Sequence, residues 1–191
     1  MPDVLRICMW SGPRNVSTAL MYAFAQRPDT RVVDEPLYGH YLRVSGADHP
    51  IPDDVIASME SRAENVVADT ILGPCDRTVL FMKQMTHHLV DLDLGFLGRT
   101  VNVLLTRDPV EMLPSLDRIL DEPTLRDTGY QGQADLLARL RALGQQPPVI
   151  DSRELLRNPS RVLSRLCEAV GILPDARMLT WEPGARPEDG V

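Results

Sequence analysis

The chain has 191 residues, 43% of them hydrophobic and 25% charged, a size and mix that suit one globular domain with a substantial core. Its net charge of −7 argues against a nucleic-acid or anionic-membrane surface, so an anion site here has to be a local basic focus. No run of about 18 apolar residues spans a membrane. Strand-like sequence begins at Val4 and leaves no room for a signal peptide, and Cys8, Cys75 and Cys167 read as buried free thiols in a reducing cytoplasm.

Val4 to Met9 predicts a buried strand and Val16 to Gln26 a helix, joined by the turn Trp10-Ser11-Gly12-Pro13-Arg14-Asn15. Such a turn leaves backbone N–H groups unpaired above a helix N-terminus, where the helix dipole adds partial positive charge. Arg14 contributes a full charge, and Ser17 and Thr18 contribute hydroxyls. The segment lacks the second Gly and the Lys of G-x-x-x-x-G-K-[ST], so it reads as an anion cradle without the triphosphate-binding lysine. Ser17 and Thr18 equally suit simple helix capping.

Further along, Arg31 to Val33 is a short strand, followed by the turn Asp34-Glu35-Pro36-Leu37 and a polar, Pro-containing stretch from Gly46 to Asp54. Val55 to Ile71 has helical spacing, and Thr78 to Met82 and Thr100 to Leu105 are apolar strands. Pro109 opens a helix with Met112, Leu113, Leu116, Ile119 and Leu120 on one face. Ala134 to Leu143 is helical and stops at Gly144, Pro148 to Asp151 is a brief strand, and Pro159 to Val170 is a helix ended by Gly171. Residues 121–133 and 180–191 are polar and read as surface. Apolar strands alternating with helices predict a three-layer α/β/α domain over residues 1–191, with a mostly parallel sheet of four to five strands and a polar tail from about residue 180.

A second basic focus lies at Arg107, where a buried strand ends, with Ser115 eight residues on. In a parallel sheet the C-terminal ends of the strands share one edge, and ligands bind there. Arg107 suits bidentate phosphate binding, and it suits equally well an ion pair with Asp108 or Glu111.

Together these segments resemble the sulfotransferases that use 3′-phosphoadenosine 5′-phosphosulfate (PAPS), which have a P-loop NTPase-like fold. In that family the first loop commonly reads P-K-S-G-T-T. Here Pro13-Arg14-Asn15-Val16-Ser17-Thr18 takes its place. The family's Arg and Ser eight residues apart hold the 3′-phosphate, and Arg107 and Ser115 match that spacing. Its late acidic turn, Asn-Pro step and helix ending in Gly match Asp151-Ser152-Arg153-Glu154-Leu155, Asn158-Pro159 and Gly171.

The resemblance implies that Gly12, Pro13, Arg14, Asn15, Val16, Ser17 and Thr18 hold the phosphosulfate, with Arg14 as the leaving-group cation. It also implies that PAPS is the co-substrate, that no metal is required and that the acceptor is a small-molecule hydroxyl or amine. A neutral His is a competent base near pH 7. The family's K-T-H segment falls on Lys83-Gln84-Met85, with Met85 at the His position and His87 and His88 just beyond it. Glu35, after the first helix, is a rival base, because some family members use a Glu there. Lys83 is the only lysine among 20 basic residues. The family's basic lid over the 3′-phosphate has no counterpart beyond Arg186 in the tail. A P-loop small-molecule kinase and an inactive nucleotide-binding protein are the alternatives.

Overall fold

The computed structural model describes residues 3–47, 52–184 and 186. The polar stretch expected at 46–54 therefore lies partly outside the described residues (48–51), as does most of the tail end (185 and 187–191).

Strands β1 (Leu5–Ser11), β2 (Thr30–Asp34), β3 (Val79–Met85), β4 (Val101–Thr106) and β5 (Val149–Asp151) form one sheet in the order β2-β3-β1-β4-β5, with every pairing parallel. The central strands read as continuous apolar runs because both of their faces are covered. Helices α1 (Ser17–Ala25) and α8 (Pro159–Val170) cover one face, where Leu20, Phe24, Leu163 and Leu166 pack on Ile7, Met9, Phe81 and Leu105. Phe24 stacks on Phe81 with ring centroids 3.9 Å apart. On the other face α6 (Tyr130–Ala142) sets Leu136 and Leu140 against Cys8, Trp10, Met82 and Leu104. The expected three layers and parallel sheet are therefore present.

The chain leaves β1 toward one face and reaches α6, after β4, on the other. Between the C-terminal ends of β1 and β4 this arrangement opens the crevice where α/β sheets bind ligands.

Four local expectations change. The helical pattern of 55–71 is split into α3 (Pro52–Ser58) and α4 (Ala63–Asn65), which runs on into a π-helical turn, Val66–Ile71. Glu60 makes the break: its carboxylate accepts from the Arg62 N–H at 2.8 Å and from Asn65 Nδ2 at 3.0 Å, competing with helical bonding. Helix α5 (Pro109–Leu116) is shorter than its apolar face suggested. Met112 and Leu116 are buried, whereas Ile119 and Leu120 lie beyond its end and are exposed. Segment 121–133 is not all surface, because α6 starts at Tyr130 and Thr128 and Gln133 are buried. A short helix, α7 (Ser152–Arg157), follows β5, capped by the Asp151 carboxylate on the N–H groups of Arg153 and Glu154.

The three thiols are free, with Cys8 and Cys167 buried and Cys75 only half-buried. Burial pushes the Cys8 thiol up to about 12, so it stays protonated and inert. Among the described residues no helix is long and apolar enough to cross a membrane.

Candidate active site

The turn after β1 is held from three sides. Asn15 Nδ2 donates to the Leu105 carbonyl at 2.7 Å, tying the loop to the end of β4, while its buried Oδ1 has no hydrogen-bond partner among the described residues. The Ser17 N–H donates back to the Asn15 carbonyl. A Cβ on Gly12 would sit 2.8 Å from the Thr128 carbonyl oxygen and 3.0 Å from Gln133 Nε2, so the start of α6 closes on this loop only because residue 12 is glycine. Arg14 adopts φ +56°, a left-handed backbone that turns the chain into α1. The N-cap of α1 is Val16, and no side chain caps the helix. Ser17 and Thr18 lie inside the first turn instead, and the first N–H of the helix, that of Ser17, is the one turned back to the Asn15 carbonyl.

The two expected anion positions share one cluster. Arg14 Nε donates to Ser115 Oγ at 2.9 Å, and Arg107 Nη1 donates to the Arg14 carbonyl at 2.8 Å. Tyr130 contributes as well, its hydroxyl donating to the Arg107 carbonyl at 2.8 Å. Of the two acids considered as partners of Arg107, Asp108 caps α5 through the Val110 N–H and pairs with Arg153. Glu111 does form the expected ion pair with Arg107, a long one at 3.8 Å from Oε2 to Nε, beyond hydrogen-bond distance.

The acid–base candidates form a second cluster at the end of β2 and β3. Register pairs Asp34 with Lys83 across these strands. Lys83 Nζ donates to Asp34 Oδ1 at 2.7 Å and to Glu35 Oε1 at 2.6 Å. Burial works against the Lys83 charge, but the Glu35 and Asp34 carboxylates outweigh it and hold the ammonium above its ordinary range. Lys83 is therefore a buried ammonium held between two carboxylates.

Glu35 Oε2 lies 3.8 Å from His88 Nε2. The His88 ring is buried and stacks against Tyr38 and Tyr41 of α2 (Tyr38–Ser45) at centroid distances of 5.4 and 4.9 Å. Burial and the neighbouring Glu35 push the Tyr38 phenol above its ordinary value, so it stays a neutral hydroxyl. Glu35 itself has φ +39°, in the left-handed region that costs a non-glycine residue about 1 kcal/mol or more. His87 meets His88 edge-on at 4.5 Å and lines a separate cavity of about 360 Å³ with Thr86, Leu125 and Gly129. The structure thus brings Lys83, Glu35 and His88 together, with His87 beside them against His88 and Tyr41.

A family model for the sulfotransferase domain matches residues 5–191. The chain belongs to this sulfotransferase-domain family. Two similar relatives from Arabidopsis thaliana are branched-chain-amino-acid aminotransferase-like protein 1, 39% identical over 191 residues and 100% of this chain, and its protein 2 counterpart, 38% identical over 183 residues and 95% of this chain. The chain spans only 34% and 33% of their respective lengths. Among solved structures, the sulfotransferase domain from the curacin biosynthetic pathway aligns with a TM-score of 0.58 at 19% identity, covering 100% of this chain and 82% of that one. A sulfotransferase from Alicyclobacillus acidocaldarius aligns with a TM-score of 0.60 at 12% identity, covering 94% and 87%. At these identities the structures show a shared fold.

Several neighbours of these candidate residues were not singled out by sequence: Asp34, Tyr38, Tyr41, Thr128 and Tyr130. Asp34 adjoins Glu35, and Tyr38 and Tyr41 lie three apart on one helical face, which are usable local signals. Nothing local to 128–130 points back to Gly12 or Arg107.

Proposed function

We propose that this domain transfers a sulfuryl group from PAPS to a hydroxyl or amine of a small-molecule acceptor. The observation that carries this reading is the Arg14–Ser115–Arg107 cluster at the uncapped N-terminus of α1, in a chain of the sulfotransferase family. The donor set fits a nucleotide bearing two anionic groups: the guanidinium groups of Arg14 and Arg107, the hydroxyls of Ser17, Thr18 and Ser115, and the N-terminus of α1. When bound, PAPS supplies the sulfuryl group, its S–O bond to the phosphate breaking as a bond to the acceptor oxygen or nitrogen forms.

Arg14 and the α1 N–H groups balance the charge left on the departing phosphate oxygen, the place where fixed donors accelerate group transfer most. Ser17 and Thr18 orient the phosphosulfate, and Arg107 with Ser115 holds the 3′-phosphate. Glu35 receives the acceptor proton. Its side chain is 25% exposed, against 1% for His88, so it is the group an acceptor can reach. Lys83 fixes one Glu35 oxygen, and His88 stands behind the other.

Titration calorimetry with 3′-phosphoadenosine 5′-phosphate tests the nucleotide site. The protein is expected to bind it, and Arg107→Met is expected to weaken binding about 10- to 100-fold, as the loss of charge-assisted hydrogen bonds does. No binding at millimolar nucleotide would overturn the reading.

A further inference from the structure

Glu111 sits between two arginines at unequal distances. Its Oε1 accepts from Arg153 Nε at 2.8 Å, while its Oε2 stays 3.8 Å from Arg107 Nε. That Arg107 nitrogen is buried and makes no hydrogen bond among the described residues. Glu111 is in the first half of α5, four residues from Arg107, so a small side-chain rotation is enough to close the gap. Arg153 is itself well anchored. Its guanidinium also pairs with Asp108 at 3.0 Å, and its backbone N–H is fixed by the Asp151 cap of α7. One side chain from the first turn of α7 thus spans Asp108 and Glu111, the two acids that follow Arg107 in sequence.

We infer that Arg153 is a positioning residue for the anion site: by bonding Glu111 Oε1 it keeps Glu111 at long range from Arg107 Nε and so keeps the Arg107 guanidinium available to an incoming phosphate. Without Arg153, Glu111 moves onto Arg107 Nε and forms a charge-assisted hydrogen bond there. The ligand's anionic group then has to displace a carboxylate, and its attraction to Arg107 is partly cancelled. The inference rests on the proposed nucleotide role of Arg107, and it adds a component from the far side of the sheet edge. A simple tether between the β4–α5 and β5–α7 turns makes a different prediction, because it loses the same contacts whichever partner is removed.

The experiment is titration calorimetry of 3′-phosphoadenosine 5′-phosphate against the unmodified chain, Arg153→Met, Glu111→Gln and the double variant, with circular dichroism to check folding. Arg153→Met is expected to raise Kd about tenfold, the loss of one charge-assisted contact. Adding Glu111→Gln to it is expected to bring Kd back to within about twofold of the unmodified chain, since the neutral amide no longer competes for Arg107. Glu111→Gln alone is expected to bind at least as tightly as the unmodified chain, and that single variant decides the matter if Arg153→Met does not fold. A double variant as weak as Arg153→Met, a weakened Glu111→Gln or an unchanged Arg153→Met overturns the inference while leaving the nucleotide site standing. Failure of the unmodified chain to bind overturns both.

Discussion

Glu35→Gln is expected to lower the rate of sulfuryl transfer about a hundredfold or more while leaving the Kd for 3′-phosphoadenosine 5′-phosphate within about threefold of its original value. The substitution keeps the size of the side chain and an oxygen for Lys83 to donate to at the 2.6 Å position, but it removes the carboxylate that takes a proton. Separating kcat from nucleotide affinity is what distinguishes a base from a scaffold residue. His88→Ala is expected to lose less, about tenfold. His88 is buried behind Glu35, its Nε2 3.8 Å from that carboxylate, and is only 1% exposed. Release of nucleotide from PAPS across a panel of hydroxyl and amine acceptors measures both. A Glu35→Gln rate within about threefold of the original would remove Glu35 from the base role, and a larger loss in His87→Ala would transfer that role to His87 and its cavity.

The geometry behind this expectation joins a strained backbone to a fixed charge. Glu35 holds φ +39° because its N–H donates to the Lys83 carbonyl at 2.9 Å while its own carbonyl accepts from the Tyr38 N–H at 2.9 Å. These bonds lie within the chain and set its carboxylate beside Lys83 Nζ at the end of β3. The group therefore costs little to reorganise during reaction, the usual benefit of preorganisation at a polar site. Tyr38 and Tyr41 do the same for His88 by fixing its ring plane.

The sheet, the turn after β1 and the placement of Arg107 just past β4 with Ser115 on the helix that follows were legible in the sequence because each is written in local signals. Apolar runs mark doubly covered strands, and the Arg and Ser eight residues apart sit on one strand end and the helix that follows it. What could not be read is set by contacts distant in sequence. Arg14 meets Ser115 across 101 positions, and Lys83 meets Asp34 across 49, a pairing fixed by strand register. Gly12 looked like part of a phosphate loop, yet its missing Cβ is also required by the 128–133 segment packed on it. The interrupted helix at 59–62 was hidden for the opposite reason: its apolar spacing continued through a turn that the Glu60 carboxylate stabilises with its own hydrogen bonds.

Lys83→Met is expected to destabilise the fold by about 3 kcal/mol, at the lower end of the cost of removing one partner from a buried ion pair. The Lys83 side chain is only 7% exposed, and its removal leaves Asp34 and Glu35, 15% and 25% exposed, facing each other without a counter-charge. Their partial contact with water is the reason for the lower end. Adding Glu35→Gln removes one of the two stranded charges, so the double variant should regain part of the loss, a coupling that independent sites do not show. The pH dependence carries a definite sign. Burial opposes the Lys83 charge, yet Glu35 and Asp34 raise its folded value above the ordinary 10.5. Its contribution is therefore complete below pH 10.5 and is lost as pH rises through the higher folded value. Thermal unfolding from pH 8 upward should show a wide gap in Tm between the original chain and Lys83→Met that narrows only in the alkaline range. A gap that is absent at pH 8, or that widens with alkali, would mean that Lys83 does not hold the two carboxylates in place.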